Sequence, residues 1–322
     1  MSVSLKFAVT IGLIVGSMAL GYLARKQAWA SERLAGGLMT FVAVLGYPSV
    51  GFFAIWALHL KAADIWLVVG GALHIAVMGG IGLAAAPLLT RDRGEKGLFA
   101  IASALGNTGF TMGAYVIYVL YGEVGLGLAS IVQALWMSAV VLVTYPIARH
   151  YSSQPRPTGR SMAHLMIRSI FDWRSIGLPA AIVAIGLSVY QVPRPAWIDR
   201  LRVVDALMYL ILPMAYFSIG LRLHVSFVAP LRKMIVALAA ARFGAGAAVG
   251  LGMMYLTYLT PWPLTELRAT VWMIESFVPV AVTTVAICNM FALRPREASV
   301  LFVVNTVMYL ALVLPLVVWI FR

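Results

Sequence analysis

Ten stretches of this chain are apolar almost without interruption: about 5–23, 34–59, 65–89, 98–121, 125–148, 175–191, 203–222, 234–258, 268–291 and 298–320. Each is close to the ~20 apolar residues that a helix needs to cross ~30 Å of hydrocarbon. Apolar residues make up 62% of the chain and charged residues 11%, against roughly 25% charged in an ordinary soluble domain. So few charges could not cover so much apolar surface in water. The runs are continuous rather than alternating, which excludes an outer-membrane barrel. Collagen-like, disordered, disulfide-rich and coiled-coil classes fall at the same step. The pattern predicts an all-α polytopic membrane protein with ten transmembrane helices.

The net charge is +13. In a soluble protein that excess would suggest nucleic-acid binding, but here the tendency of short cytoplasmic loops to collect Lys and Arg accounts for it. With ten spans, the odd-numbered loops carry 16 Lys and Arg and the other side 7. That asymmetry predicts both termini outside and the long central connection in the cytoplasm. The run after Lys6 continues to Leu23 and reads as an uncleaved first helix. The single cysteine, Cys288, cannot form an internal disulfide and reads as a small buried hydrophobe.

The connection at 149–174 divides the chain into halves, 1–148 and 175–322, which resemble each other. Pro48 in span 2 recurs as Pro213 in span 7, 165 residues later. Ala72-Leu73-His74 to Gly82 aligns with Ala240-Ala241-Arg242 to Gly250 at an offset of 168, and Tyr145-Pro146 with Leu314-Pro315 at 169. Offsets this constant predict a duplicated five-helix unit. Because five is odd, the second copy enters the membrane from the opposite face, which gives the inverted repeat of many secondary transporters.

In such transporters the substrate binds near the midplane, where helices interrupted by Gly or Pro in equivalent positions meet. Span 4 contains Gly106-Asn107-Thr108-Gly109-Phe110-Thr111-Met112-Gly113, and span 9 contains Glu275-Ser276-Phe277-Val278-Pro279-Val280-Ala281-Val282-Thr283-Thr284. Gly109 and Pro279 are 170 apart, the same offset again. Pro279 lacks a backbone donor and clashes with the preceding turn, and each glycine weakens a helix by roughly 1 kcal/mol. Both spans are expected to break and cross there. Half-helix N-termini carry about half a positive charge each, and desolvating a carboxylate costs several kcal/mol. Side-chain donors must therefore supplement the dipoles. The expected substrate-binding residues are Asn107, Thr108, Gly109, Gly113, Ser276, Pro279 and Thr283, with Thr284 nearby. The bland alternative is that small residues only let helices pack closely, as in Gly12-x-x-x-Gly16 and Gly246-x-x-x-Gly250.

Charges within spans are few, and Arg242 and Glu275 stand out at about 2.5–3.5 kcal/mol each on insertion scales. Each lies about eight residues from an end of its span, or ~12 Å deep at 1.5 Å per residue. A fixed ion pair between them is one reading. The other makes Glu275 a proton-coupling carboxylate or Arg242 a counter-ion for an acidic substrate. His74, at the repeat position of Arg242, could titrate, although a packing histidine is the commoner case.

Gly106-Asn107-Thr108-Gly109-Phe110 with Gly113, followed by Tyr121-Gly122-Glu123-Val124-Gly125-Leu126, resembles the auxin efflux carrier family, the bacterial permeases related to the plant PIN-FORMED carriers. Gly21-Tyr22-Leu23-Ala24-Arg25-Lys26, Pro48, Ser218-Ile219-Gly220-Leu221, Pro279 and Pro315 are similar as well. The resemblance implies two inverted five-helix repeats with helices 4 and 9 crossing at their breaks. It also implies a transport domain moving against a scaffold that can mediate a homodimer, in a bacterial inner membrane. Its substrates would be small organic anions such as malate, malonate or auxin, with Asn107 contacting the carboxylate. One departure is plain: the family's Gly-x-Pro after Asn-x-Gly-Phe is here Met112-Gly113-Ala114-Tyr115, so the span-4 break must rely on Gly109 and Gly113.

Other readings exist. A sodium-coupled symporter of the bile-acid type shares this plan, but Glu275, Asn107, Gln133 and Asn305 are a thin supply of sodium ligands. A membrane sensor with a transporter fold would bind without net flux. An enzyme is not expected: there is no Gly-x-Ser-x-Gly, no His-Glu-x-x-His, and Asp199 and Asp205 have the wrong spacing for a magnesium-binding pair. No metal or cofactor is called for.

Overall fold

The protein is described by a computed structural model, which covers residues 3–153, 176–222 and 229–321. Most of the central connection, at 154–175, therefore lies outside the described residues. In chain order the helices are α1 (Val3–Lys26), α2 (Glu32–Phe41), α3 (Tyr47–Trp56), α4 (Ile65–Leu89), α5 (Arg93–Ala104) and α6 (Gly113–Val132). Next come α7 (Trp136–Ala139), α8 (Tyr145–Tyr151), α9 (Gly177–Val189), α10 (Ala196–Arg200), α11 (Val203–Leu221) and α12 (Arg232–Ala239). The last are α13 (Gly246–Thr257), α14 (Glu266–Ser276), α15 (Thr283–Met290), α16 (Pro295–Met308) and α17 (Leu314–Phe321). No strand is present among the described residues.

Among the described residues, six helical stretches are long and apolar enough to cross a membrane: Arg33–Trp56, Ala62–Leu89, Gly113–Tyr151, Val203–Leu221, Arg232–Thr257 and Pro295–Phe321. Their surfaces agree with that solvent. Leu88, Leu256, Leu312 and Trp319 are all exposed, a surface that in water would favour association.

Among the described residues, four helical runs contain a widened π-helical turn, at Val42–Gly46, Val140–Thr144, Ala240–Ala245 and Tyr309–Val313. Three of these turns lead directly into a proline: Pro48, Pro146 and Pro315. A proline ring clashes with the carbonyl four residues earlier, and in all three cases that carbonyl belongs to the widened turn. Pro213 instead lies inside the regular helix α11.

The chain forms two compact units, each drawing on both sequence halves. The first comprises Met1–Asp64, Gly109–Ala134 and Trp173–Leu223. Within it α1 packs along α11, and α3 packs against α9 and α6. The α1–α11 approach is close because of two glycines. A Cβ on Gly21 would strike the Phe217 carbonyl, and one on Gly220 the Met18 carbonyl. In the same unit Gly122 interrupts α6 with a positive φ of 65°, a conformation that glycine adopts without steric cost.

The second unit comprises Ile65–Thr108, Leu135–Asp172 and His224–Arg322. Here α4 packs along α5, and α13 along α14. Leu98, Phe99, Ile101, Leu105, Leu238, Val280, Ile287 and Leu301 share one buried cluster, and Cys288 lies fully buried in it. The close packing expected of the two small-residue pairs is found only here. Gly246 and Gly250 lie against Ser276, whereas among the described residues nothing comes within 4 Å of the Cβ positions of Gly12 and Gly16.

Candidate functional site

In the second unit helical bonding stops at Ala104 in span 4 and at Ser276 in span 9. In span 9 it resumes at Thr283; in span 4 it resumes at Gly113, which belongs to the first unit. The two non-helical stretches of the second unit pair with each other. The Asn107 amide donates to the Pro279 carbonyl at 2.6 Å, and the Ala281 amide donates to the Leu105 carbonyl at 2.9 Å. Gly106 and Val280 thereby form an isolated antiparallel bridge. Buried backbone groups must find partners, and here each broken helix supplies them to the other.

Arg242 completes that accounting. The natural intrahelical partner of the Ser103 carbonyl is the Asn107 amide, which is engaged by Pro279. Nη1 of Arg242 donates to Ser103 O instead, at 2.9 Å. Nε and Nη2 both donate to the Val278 carbonyl, at 3.1 and 3.0 Å. Arg242 is fully buried and projects from the widened turn Ala240–Ala245. Burying an ion costs several kcal/mol. Three charge-assisted bonds of about 1.5–3 kcal/mol each are of the same order, so carbonyls alone can hold the guanidinium.

The ion pair between Arg242 and Glu275 is not formed. Among the described residues no ion pair joins them, and neither carboxylate oxygen of Glu275 has a hydrogen-bond partner although the residue is only 2% exposed. Counting along the spans predicts similar depths for the two residues, but the Arg242 guanidinium is taken up by the Ser103 and Val278 carbonyls instead. Other polar atoms of this unit also lack partners: Thr108 Oγ1, Thr284 Oγ1, Thr306 Oγ1 and the Tyr309 hydroxyl. His74 is held by packing: its Nε2 meets the Gly246 carbonyl at 3.2 Å, and its ring lies edge-on to Trp272.

The sequence-selected residues therefore divide. Asn107, Pro279, Ser276 and Thr283 lie at or beside the paired segment, with Glu275 and Ser276 closing α14 and Thr283 opening α15. Gly109 and Gly113 belong to the first unit. There Tyr216 hydrogen-bonds through its hydroxyl to the Thr111 carbonyl, and the Tyr47 and Phe110 rings pack at 5.2 Å. In the paired segment Gly106 is sterically constrained, because a Cβ there would occupy the place of the Arg242 guanidinium. Asn305 was also missed as a support: its Oδ1 accepts from the Val280 amide at 2.9 Å. The first unit has a further polar cluster in which Arg194 pairs with Glu123 and Asp199, and Tyr118 hydrogen-bonds to Asp205. No group of three or more His, Cys, Asp or Glu that could hold a metal occurs among the described residues.

Apolar membrane-length helices, together with interrupted helices whose broken backbones satisfy each other, define a polytopic membrane protein of the transporter class. The chain belongs to the membrane transport protein family, that of the auxin efflux carriers, whose family model matches residues 9–320, nearly its whole length. It is a family of transporters rather than enzymes. No curated protein matches the chain.

Proposed function

We propose that this protein is a secondary transporter for small organic anions, carboxylates such as malate, malonate or an auxin-like acid. It would work by alternating access around a midplane site where spans 4 and 9 break. The proposal includes ten transmembrane helices in two inverted repeats and a bacterial inner-membrane location with both termini outside. The observation that carries it is the paired break itself, Asn107 to Pro279 and Leu105 to Ala281. Irregular backbone at membrane depth is tolerated only where it is buried in protein or lines a cavity. The start of α15, with Thr283 and Thr284, presents the positive end of a helix dipole, and Asn107 supplies an amide beside it. Proton coupling would fall to Glu275.

Flux of malate, malonate and an aromatic acid into proteoliposomes, with and without a proton gradient, tests this reading. Saturable carboxylate flux that Asn107→Ala abolishes is the expected result. Flux indifferent to Asn107 would move the site elsewhere; no flux with any acid would leave a sensor or another substrate class.

A further inference from the structure

We propose that Arg242 is a built-in cation for the helix break: its guanidinium takes the position between the carbonyl-bearing ends of α5 and α14 that a coupling ion would otherwise fill. In transporters with discontinuous helices, unwound carbonyls and the C-terminal ends of half-helices are the groups that coordinate sodium, because those ends carry partial negative charge. Here Ser103 O, in the last turn of α5, and Val278 O, just beyond α14, are such groups, and both accept from Arg242.

Three features make this more than a buried arginine that happens to be satisfied. Its hydrogen bonds go to carbonyls alone, the groups that would coordinate an inorganic cation in such a site, and the buried carboxylate of Glu275 in the same unit is not paired with it. The chain makes room for it, since a Cβ at position 106 would fill the space that the guanidinium occupies. The cation is covalently tethered from a widened helical turn, a feature frequent at functional positions. The consequence is that the break needs no sodium to hold together. Sodium-independent flux rests on the transporter reading above; occupancy of the cation position by Arg242 does not.

The two are separated by melting the purified full-length protein in detergent, in sodium chloride and in choline chloride at equal ionic strength. The wild-type melting temperature is expected to be the same in both salts. Arg242→Met, which keeps an unbranched apolar stem but removes the charged head, should melt several degrees lower, and Arg242→Lys should recover most of the loss. In Arg242→Gly, sodium or low concentrations of guanidinium should raise the melting temperature saturably, with no such effect of choline. Saturable stabilisation of the wild type by sodium over choline would overturn the proposal, and so would Arg242→Met melting level with Arg242→Lys. The wild-type titration decides even where a variant does not fold. Malonate flux compared in sodium and choline then tests coupling: sodium dependence would overturn the inferred independence, and absence of all flux would count against the transporter reading alone.

Discussion

Asn305 holds the Val280 amide through its side-chain Oδ1 at 2.9 Å, across 25 residues of sequence. Val280 is fully buried and follows Pro279 in the non-helical stretch, so its N–H has no helical partner to return to. Asn305→Leu should leave that donor orphaned, at about 1–3 kcal/mol, and lower the melting temperature. Asn305→Asp keeps an acceptor and should lose less. Equal melting of the two variants would mean that the hydrogen bond contributes nothing.

Glycine substitutions should separate two classes. At Gly220 a Cβ would run into the Met18 carbonyl and stand 3.0 Å from the Tyr22 amide, and backbone cannot step aside as a side chain can. Gly220→Ala is expected to cost about 1–3 kcal/mol by overpacking. Gly12→Ala meets nothing within 4 Å and should be neutral or slightly stabilising, since alanine favours helix by up to ~1 kcal/mol. Thermal melting of the two variants side by side is the check.

Glu275 has no hydrogen bond to lose. Glu275→Gln should therefore fold as stably as the wild type, while accumulation driven by a proton gradient disappears and exchange without a gradient persists. Retention of the gradient response in Glu275→Gln would remove this carboxylate from the coupling scheme.

At the start of α5, Asp92 accepts from Arg294 Nη2 at 2.6 Å and from the Glu95 amide at 2.8 Å. The Arg294 bond, then the Glu95 amide, hold the Asp92 carboxyl below the usual carboxylate range. A depressed value stabilises the fold above the ordinary Asp pKa of about 3.9, and the benefit is lost as pH falls through the lower folded value. For so exposed a pair the effect is typically ~0.2–1 kcal/mol. Asp92→Asn should flatten the acid limb of a stability–pH curve, measured by melting in a series of buffers.

The break in span 9 was legible because Pro279 cannot donate to a helix, and α14 does end three residues before it. In span 4 the expected agents were Gly109 and Gly113, but α5 stops already at Ala104, where the hydrogen bonds to the Pro279 carbonyl, the Ala281 amide and Arg242 draw the backbone away. Those partners lie far along the chain, and no local propensity encodes them. The same limit explains Arg242. Counting residues from the end of a span fixes depth, but the widened turn at Ala240–Ala245 changes which way the side chain points. In sequence Asn305 reads only as one of a thin supply of sodium ligands, and its service to Val280 depends on how α16 packs.

The widened turns have a genetic consequence as well. Each holds one residue more than a regular turn, so every side chain beyond it is advanced by about 100° around the helix axis. Deleting a single residue from Tyr309–Val313 would restore ordinary helix and swing all of α17 through that angle, trading its buried Leu314 and Val317 for lipid-facing neighbours. An insertion or deletion within any of these four segments would thus act as a change of rotational phase for everything beyond it.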